Sequence, residues 1–154
     1  MTAAIVAAAL AAAGLNGAAA ALGGWLWYVG QPSVRGARAF WMLLRIGQGS
    51  ALTLVLAAGS LAAAGNYSRD HLFYLYALLP IAVAFIGEQL RVVAAQTVLD
   101  QRGLPGAEAV GRLPEAEQRG LVAHIVRREI GVMATSALVV AFLALRAAST
   151  AHGF

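Results

Sequence analysis

The sequence predicts an all-α integral membrane protein: an antiparallel bundle of four transmembrane helices, with a cytoplasmic helical extension between the third and fourth spans. Hydrophobic residues make up 60% of the 154-residue chain and charged residues 12%. An ordinary soluble domain carries about 25% charged residues. Four apolar stretches reach the roughly 17 or more residues that a membrane-spanning helix needs. The length fits one domain, which we assign to residues 1–154.

The first predicted span covers about residues 2–29 and has no charged side chain. It is mostly alanine with several glycines, and such small residues let neighbouring membrane helices approach closely. A secretory signal peptide would begin with positive charge and have an apolar run about half as long. We therefore expect this segment to be retained as a span, with Asn16 near its centre hydrogen-bonding a neighbouring helix.

The second and third predicted spans cover about residues 40–64 and 72–93, and polar turns at 31–38 and 66–71 precede them. Pro80 predicts a kink in the third span. Aromatic residues cluster beside both turns, as they do where helices cross a membrane–water interface. These residues are Trp25, Trp27, Tyr28, Phe40 and Trp41 at the first turn, and Tyr67, Tyr74 and Tyr76 at the second.

The third helix is expected to continue to about Gln101, because the first strong stop signal is the Gly103–Gly106 stretch. A new helix is predicted at Pro114, where a proline is followed by acidic residues. Residues of about 94–129 would then form a helical hairpin region outside the membrane. The fourth span follows at about 130–146.

The arginines predict the orientation. All eleven basic residues are arginines, and the net charge is +4. Seven of them fall beside the first turn and between spans three and four, namely Arg35, Arg38, Arg102, Arg112, Arg119, Arg127 and Arg128. The positive-inside rule therefore places that side in the cytoplasm and both termini outside the inner (plasma) membrane. Arginines beside spans favour anionic lipid headgroups as partners, and not nucleic acid.

One arginine and one glutamate fall inside predicted spans, where charge is costly and marks a candidate site. At about 1.5 Å per residue, Arg45 and Glu88 lie at nearly the same depth in consecutive spans. Gln48 follows on the Arg45 face, and Arg91 lies three residues after Glu88, an ordinary pairing distance within a helix. Two interpretations stay open: an ion pair that holds helices together, or a polar intramembrane site.

No cofactor is predicted. The chain has no cysteine and no pair of histidines at metal-binding spacing. A haem would need axial ligands inside the bundle, whereas His71 and His152 are expected at the outer side and His124 at the cytoplasmic side. No catalytic motif is present, so catalytic residues are unknown.

Three functions follow as hypotheses. The leading one is a non-enzymatic small membrane protein that forms a homo-oligomer or joins a partner membrane protein as an accessory subunit. The second is a small transporter or channel that uses Arg45, Gln48 and Glu88. The third is an enzyme acting on a lipid or quinone headgroup at the cytoplasmic face, with Glu88 as the base.

Overall fold

A computed structural model describes residues 2–30 and 32–152, and within these ranges the regular structure is entirely helical. The helices are α1 (Thr2–Val29), α2 (Val34–Ala63), α3 (Leu72–Gln101), α4 (Ala107–Gly111) and α5 (Glu115–Thr150). Four of them, α1, α2, α3 and α5, are long and apolar enough to cross a membrane. Length and composition thus indicate a multi-pass membrane protein with a helical bundle.

Helix α2 begins earlier than the sequence predicts. The backbone N–H of Gly36 donates a hydrogen bond of 3.1 Å to the hydroxyl of Ser33, which caps the helix. Residues 34–38, assigned above to a polar turn, therefore form the first turn of α2, and that part of the prediction was wrong. The preceding chain reversal uses Gly30, whose φ of +85° favours glycine.

Helix α3 continues through the buried Pro80 to Gln101, and Gly103 follows with a φ of +65°. This confirms the predicted stop. Helix α5 starts directly after Pro114 and runs unbroken for 36 residues, as the helix-start signal predicts. The short helix α4 was not predicted. In the part of α3 and α5 nearest their connection, the side chains of Ala94, Val98 and Leu121 are buried, so these turns belong to the packed bundle.

The four long helices pack around the bundle in sequence order, but their contacts are unequal in extent. Helix α5 packs extensively along both α1 and α3, and α1 also packs along α2. Helices α2 and α3, which are joined by a short turn and were expected to be close neighbours, make a less extensive contact. The first and last long helices therefore form the centre of the bundle.

Two apolar clusters define the ends of the bundle. Ile5, Leu54, Phe73 and Ala147 belong to the first cluster, at the terminal end, where Thr2 and His152 lie. The backbone N–H of Arg69 donates to the carbonyl of His152 there (3.0 Å), as does the hydroxyl of Ser68 (3.2 Å). Leu26, Phe40, Leu44 and Met133 belong to the second cluster, at the arginine-rich end, which holds the α1–α2 turn and the α3–α5 connection.

Glycines bring the helices together at this second cluster. A Cβ added to Gly23 would lie 2.5 Å from the Phe40 ring and 2.7 Å from the Cβ of Ala134. A Cβ added to Gly87 would lie 2.6 Å from the hydroxyl of Ser136. These separations leave no room for a side chain, so the α1–α2, α1–α5 and α3–α5 contacts depend on glycine at these positions.

Candidate functional site

The structure brings together all four polar residues that the sequence singled out. Nη1 of Arg45 on α2 donates a 2.7 Å hydrogen bond to Oε1 of Glu88 on α3. The same nitrogen lies 2.7 Å from Oε1 of Gln48, one turn along α2. Charge-assisted hydrogen bonds of this length are among the stronger polar contacts in proteins. The Arg45–Glu88 hydrogen bond connects α2 and α3, whose contact is otherwise limited.

Arg91 approaches the second oxygen of Glu88. Its Nε lies 3.2 Å from Oε2 of Glu88, three residues earlier on α3, as an ion pair without the alignment of a hydrogen bond. The Arg91 guanidinium carbon lies 5.2 Å from the ring centroid of Trp41 on α2, within cation–π range. Both oxygens of Glu88 thus face a guanidinium, and Trp41 provides a second link between α2 and α3.

Glu129 on α5 completes the charge cluster, and sequence reasoning missed it. It is partly buried and close enough to Arg91 and Glu88 for their charges to act on it, but it forms no ion pair or hydrogen bond with another residue that the structure describes. Met133 packs opposite Gly87, so Glu129 and Arg91, each one turn further along, lie at the same level. Glu129 lies just before the predicted fourth span, where an acidic residue is ordinary. Only the antiparallel register of α3 and α5 shows that it lies near Glu88 and Arg91.

The cluster lies on the side of the bundle and not in an enclosed chamber. The side chain of Arg45 is 53% exposed and that of Glu88 25%. Three surface grooves, of about 650, 360 and 340 Å³, are lined by other residues. A carboxylate already facing two guanidinium groups cannot take a proton or bind a cation without weakening those contacts. The arrangement is therefore suited to holding helices together.

Asn16 forms a separate polar link between α1 and α2. Its side chain is fully buried, and Nδ2 donates to the carbonyl oxygens of Ala12 (2.8 Å) and Gly47 (2.9 Å). A Cβ added to Gly47 would lie 3.0 Å from the Asn16 amide, so glycine allows this approach. Oδ1 of Asn16 has no hydrogen-bond partner among the described residues. The contact has the interhelical role that the sequence suggested.

Arg127 connects the start of α5 to the end of α1. Its Nε donates a 2.9 Å hydrogen bond to the carbonyl of Trp27, and its guanidinium carbon lies 5.6 Å from the Trp27 ring centroid. An arginine at the C-terminus of a helix satisfies a free carbonyl and complements the helix dipole. The Trp27 ring also lies against Gly131. Sequence patterns do not predict this contact, because the two residues are 100 positions apart.

Two of the three histidines lie at the terminal end of the bundle and the third lies at the arginine-rich end. His71 precedes α3 at the terminal end, and His152 follows α5 at that same end. His124 is exposed on α5 at the arginine-rich end. Within residues 2–30 and 32–152, no group of three or more His, Cys, Asp or Glu side chains is placed to hold a metal ion.

Comparisons of the chain with protein-family models, curated proteins and solved structures found no match. The interpretation of the site therefore rests on its geometry. That geometry consists of two arginines and two glutamates at one level of α2, α3 and α5, with Gln48 and Trp41 completing the contacts.

Proposed function

We propose that the protein is a non-enzymatic, multi-pass protein of the inner (plasma) membrane that self-associates through α1 as a subunit of a membrane assembly. The observation that carries this proposal is an exposed line of small residues on α1, which we call the alanine seam. It consists of Ala7, Ala11, Gly14, Ala18 and Ala21. Their alternating spacing of four and three residues is the repeat that a facing helix needs for continuous packing.

The alanine seam contrasts with the exposed faces of the other long helices. Between Thr2 and Gly24, Leu10 is the one large hydrophobic side chain of α1 that is exposed. Helix α3 exposes Leu78, Phe85 and Leu90 instead, and other large side chains are exposed on α2 and α5. Large apolar side chains suit contact with lipid tails, whereas small residues favour close approach of another helix. The face of α1 is thus suited to a protein partner.

The charge cluster supports a structural role in this proposal. Glu88 is neutralised by Arg45 and Arg91 of the same chain, so it needs no ligand to balance its charge. We place the arginine-rich end in the cytoplasm, because seven of the eleven arginines lie beside its connections. The packed turns around Leu121 then form the cytoplasmic extension, and both termini lie outside.

Cysteine cross-linking in native membranes tests self-association. The chain has no native cysteine, so Ala11→Cys and Ala18→Cys report on the seam alone. Leu78→Cys, which is also at an exposed position but lies on α3, is the matched control. We expect disulfide-linked dimers from the two α1 variants and little from the control. Equal cross-linking at all three positions would contradict the proposal. So would mass spectrometry that detects a single chain in each native lipid patch.

A second candidate function, a transporter or channel, is favoured by the 53% exposure of Arg45, which leaves the Arg45–Gln48–Glu88 contacts open on one side. Gln48→Cys and a small water-soluble thiol reagent discriminate between the two functions. Rapid labelling in intact membranes would indicate a water-filled path to the cluster, and slow labelling would agree with a structural role. The third hypothesis, a headgroup enzyme, lacks a free base because both oxygens of Glu88 are engaged.

A further inference from the structure

A groove of about 650 Å³ lies between α1 and α5 at the arginine-rich end. Its α1 wall adjoins the alanine seam and shares Ala21 with it. Small residues on α1 form one wall, namely Gly17, Ala20, Ala21 and Gly24, and Thr135 and Leu138 contribute to the other. A Cβ added to Gly24 would meet nothing within 4 Å. The groove is therefore open space beside the helices, of a volume typical of small-molecule sites.

The end of the groove nearest the α1–α2 turn, which we call its mouth, carries uncompensated positive charge. Arg128 lines the mouth, is exposed, and makes no hydrogen bond or ion pair with any other residue that the structure describes. Trp27 lines it too, and the Arg127 guanidinium lies over the Trp27 ring. The mouth thus combines the unpaired guanidinium of Arg128 with the Trp27 ring, which the Arg127 guanidinium also contacts, and no acidic residue is among those that line the groove.

The length of the groove matches one leaflet of a bilayer. From Arg128 at the mouth to Leu138 at the far end, α5 advances ten residues, or about 15 Å at 1.5 Å per residue. The hydrocarbon core of a membrane is about 30 Å thick, so one leaflet accounts for about half of it. A lipid whose headgroup is level with Arg128 would therefore place an acyl chain alongside the whole groove.

We infer that this groove binds an anionic phospholipid, with its phosphate on Arg128 and one acyl chain between α1 and α5. The cytoplasmic leaflet, where we place the mouth, carries anionic lipids. A second copy of the chain fits less well: a two-fold axis along the membrane normal would bring two Arg128 side chains to the same depth at one interface, where like charges repel. The inference rests on the membrane placement proposed above, but not on self-association through the alanine seam.

The test compares how much lipid each purified variant retains. The variants are reconstituted in vesicles of phosphatidylglycerol and phosphatidylcholine, and the lipid that stays bound after release is measured by native mass spectrometry. Arg128→Gln removes the charge at the mouth, and Gly24→Leu places a large side chain in the groove at a position where an added Cβ meets nothing within 4 Å. Arg119→Gln, on the same helix nine residues away and highly exposed, is the matched control for charge. Helical circular dichroism verifies that each variant is folded.

We expect the wild type and Arg119→Gln to retain phosphatidylglycerol in preference to phosphatidylcholine. Arg128→Gln should reduce that preference about fivefold, the effect typical of one arginine near a charged membrane surface. Gly24→Leu should reduce retention of both lipids. The inference would be overturned if Arg128→Gln and Arg119→Gln reduced the lipid preference equally. It would also be overturned if neither Arg128→Gln nor Gly24→Leu reduced lipid retention. Disulfide dimers formed by Leu138→Cys, on the α5 wall away from the alanine seam, would overturn it too, because they would identify the occupant as a second copy. Cross-linking at Ala11 and Ala18 is a separate readout, so the lipid site and self-association can fail independently.

Discussion

At the scale of single residues, the charge cluster shows how a glutamate can be accommodated within an apolar helix. Glu88 shares its two oxygens between a neighbouring helix, through Arg45, and its own helix, through Arg91. The Arg45 contact is the shorter and better aligned of the two. Arg91 in turn lies over Trp41, and Glu129 lies near the cluster on α5 without an ion pair to any other described residue. Removing Arg45 or Glu88 leaves the other without its interhelical partner.

The first prediction concerns the coupling of Arg45 with Glu88. In thermal unfolding in detergent, the destabilisations by Arg45→Leu and Glu88→Leu should add up to more than the destabilisation of the double variant. Each single variant leaves a partly buried charge without its partner, and that charge keeps its desolvation cost. Since Arg45 is half exposed, we expect a coupling free energy of about 1 kcal/mol, at the upper end for accessible pairs. The measurement is a double-mutant cycle on the free energy of unfolding.

The control for this prediction is a parallel cycle of Glu88→Leu with Arg91→Leu. Its coupling should be smaller, because the 3.2 Å contact lacks hydrogen-bond alignment and Arg91 keeps its contact with the Trp41 ring. Additive effects of Arg45 and Glu88 would mean that the interhelical pair contributes no stability. Glu88 would then serve its own helix or a ligand.

At the scale of the helices, α1 carries small residues on two faces, and they have different effects on packing. On the inner face, Phe40 and Ala134 occupy the space that a side chain at position 23 would need, and Gly23 leaves that space free. On the outer face, a Cβ added to Gly14 would meet nothing within 4 Å. Composition alone does not separate these glycines. Their surroundings do, because one is buried between helices and the other belongs to the alanine seam.

The second prediction uses this difference. Gly23→Ala should destabilise the protein by about 1–3 kcal/mol, because the added methyl overlaps the Phe40 ring and Ala134. Gly14→Ala, in the same helix, should be neutral or stabilise it by up to about 1 kcal/mol, since alanine favours the helix and has free space. Chemical or thermal unfolding of both variants in one detergent provides the comparison. Similar values for the two would contradict the close packing of α1 against α2 and α5.

At the scale of the whole molecule, the distribution of arginines gives the bundle two different ends. The end with the α3–α5 connection holds most of the arginines, whereas Arg69 and Arg146 lie towards the other. Arg146 lies over the ring of Tyr76, with 5.3 Å between its guanidinium carbon and the ring centroid. The two arginine-rich connections therefore lie at the same end of the bundle, which is the asymmetry from which the positive-inside rule predicts an orientation.

The third prediction is that both termini lie outside and the α4 region lies in the cytoplasm. Single cysteines at Ala3, Ala107 and Ser149, all exposed positions, can be labelled with a membrane-impermeant reagent in intact cells. The arginine asymmetry predicts labelling at positions 3 and 149, and at position 107 only after the cells are opened. Labelling at position 107 alone would reverse the orientation and place the mouth of the α1–α5 groove outside.

The sequence by itself determined the four long helices, the stop after Gln101 and the start at Pro114, because length, apolar content and helix-end signals are local properties. It also predicted that Arg45 and Glu88 would meet, since two helices joined by a short turn fix their relative depth. Only the tertiary structure decided that α5 packs between α1 and α3, that Glu129 joins the cluster, and that Arg127 reaches Trp27. The physical reason is that these helices are apolar on nearly every side, so hydrophobic periodicity does not indicate which face meets which. That choice depends on where glycines allow close approach and where charges find partners, both of which are relations between distant parts of the chain.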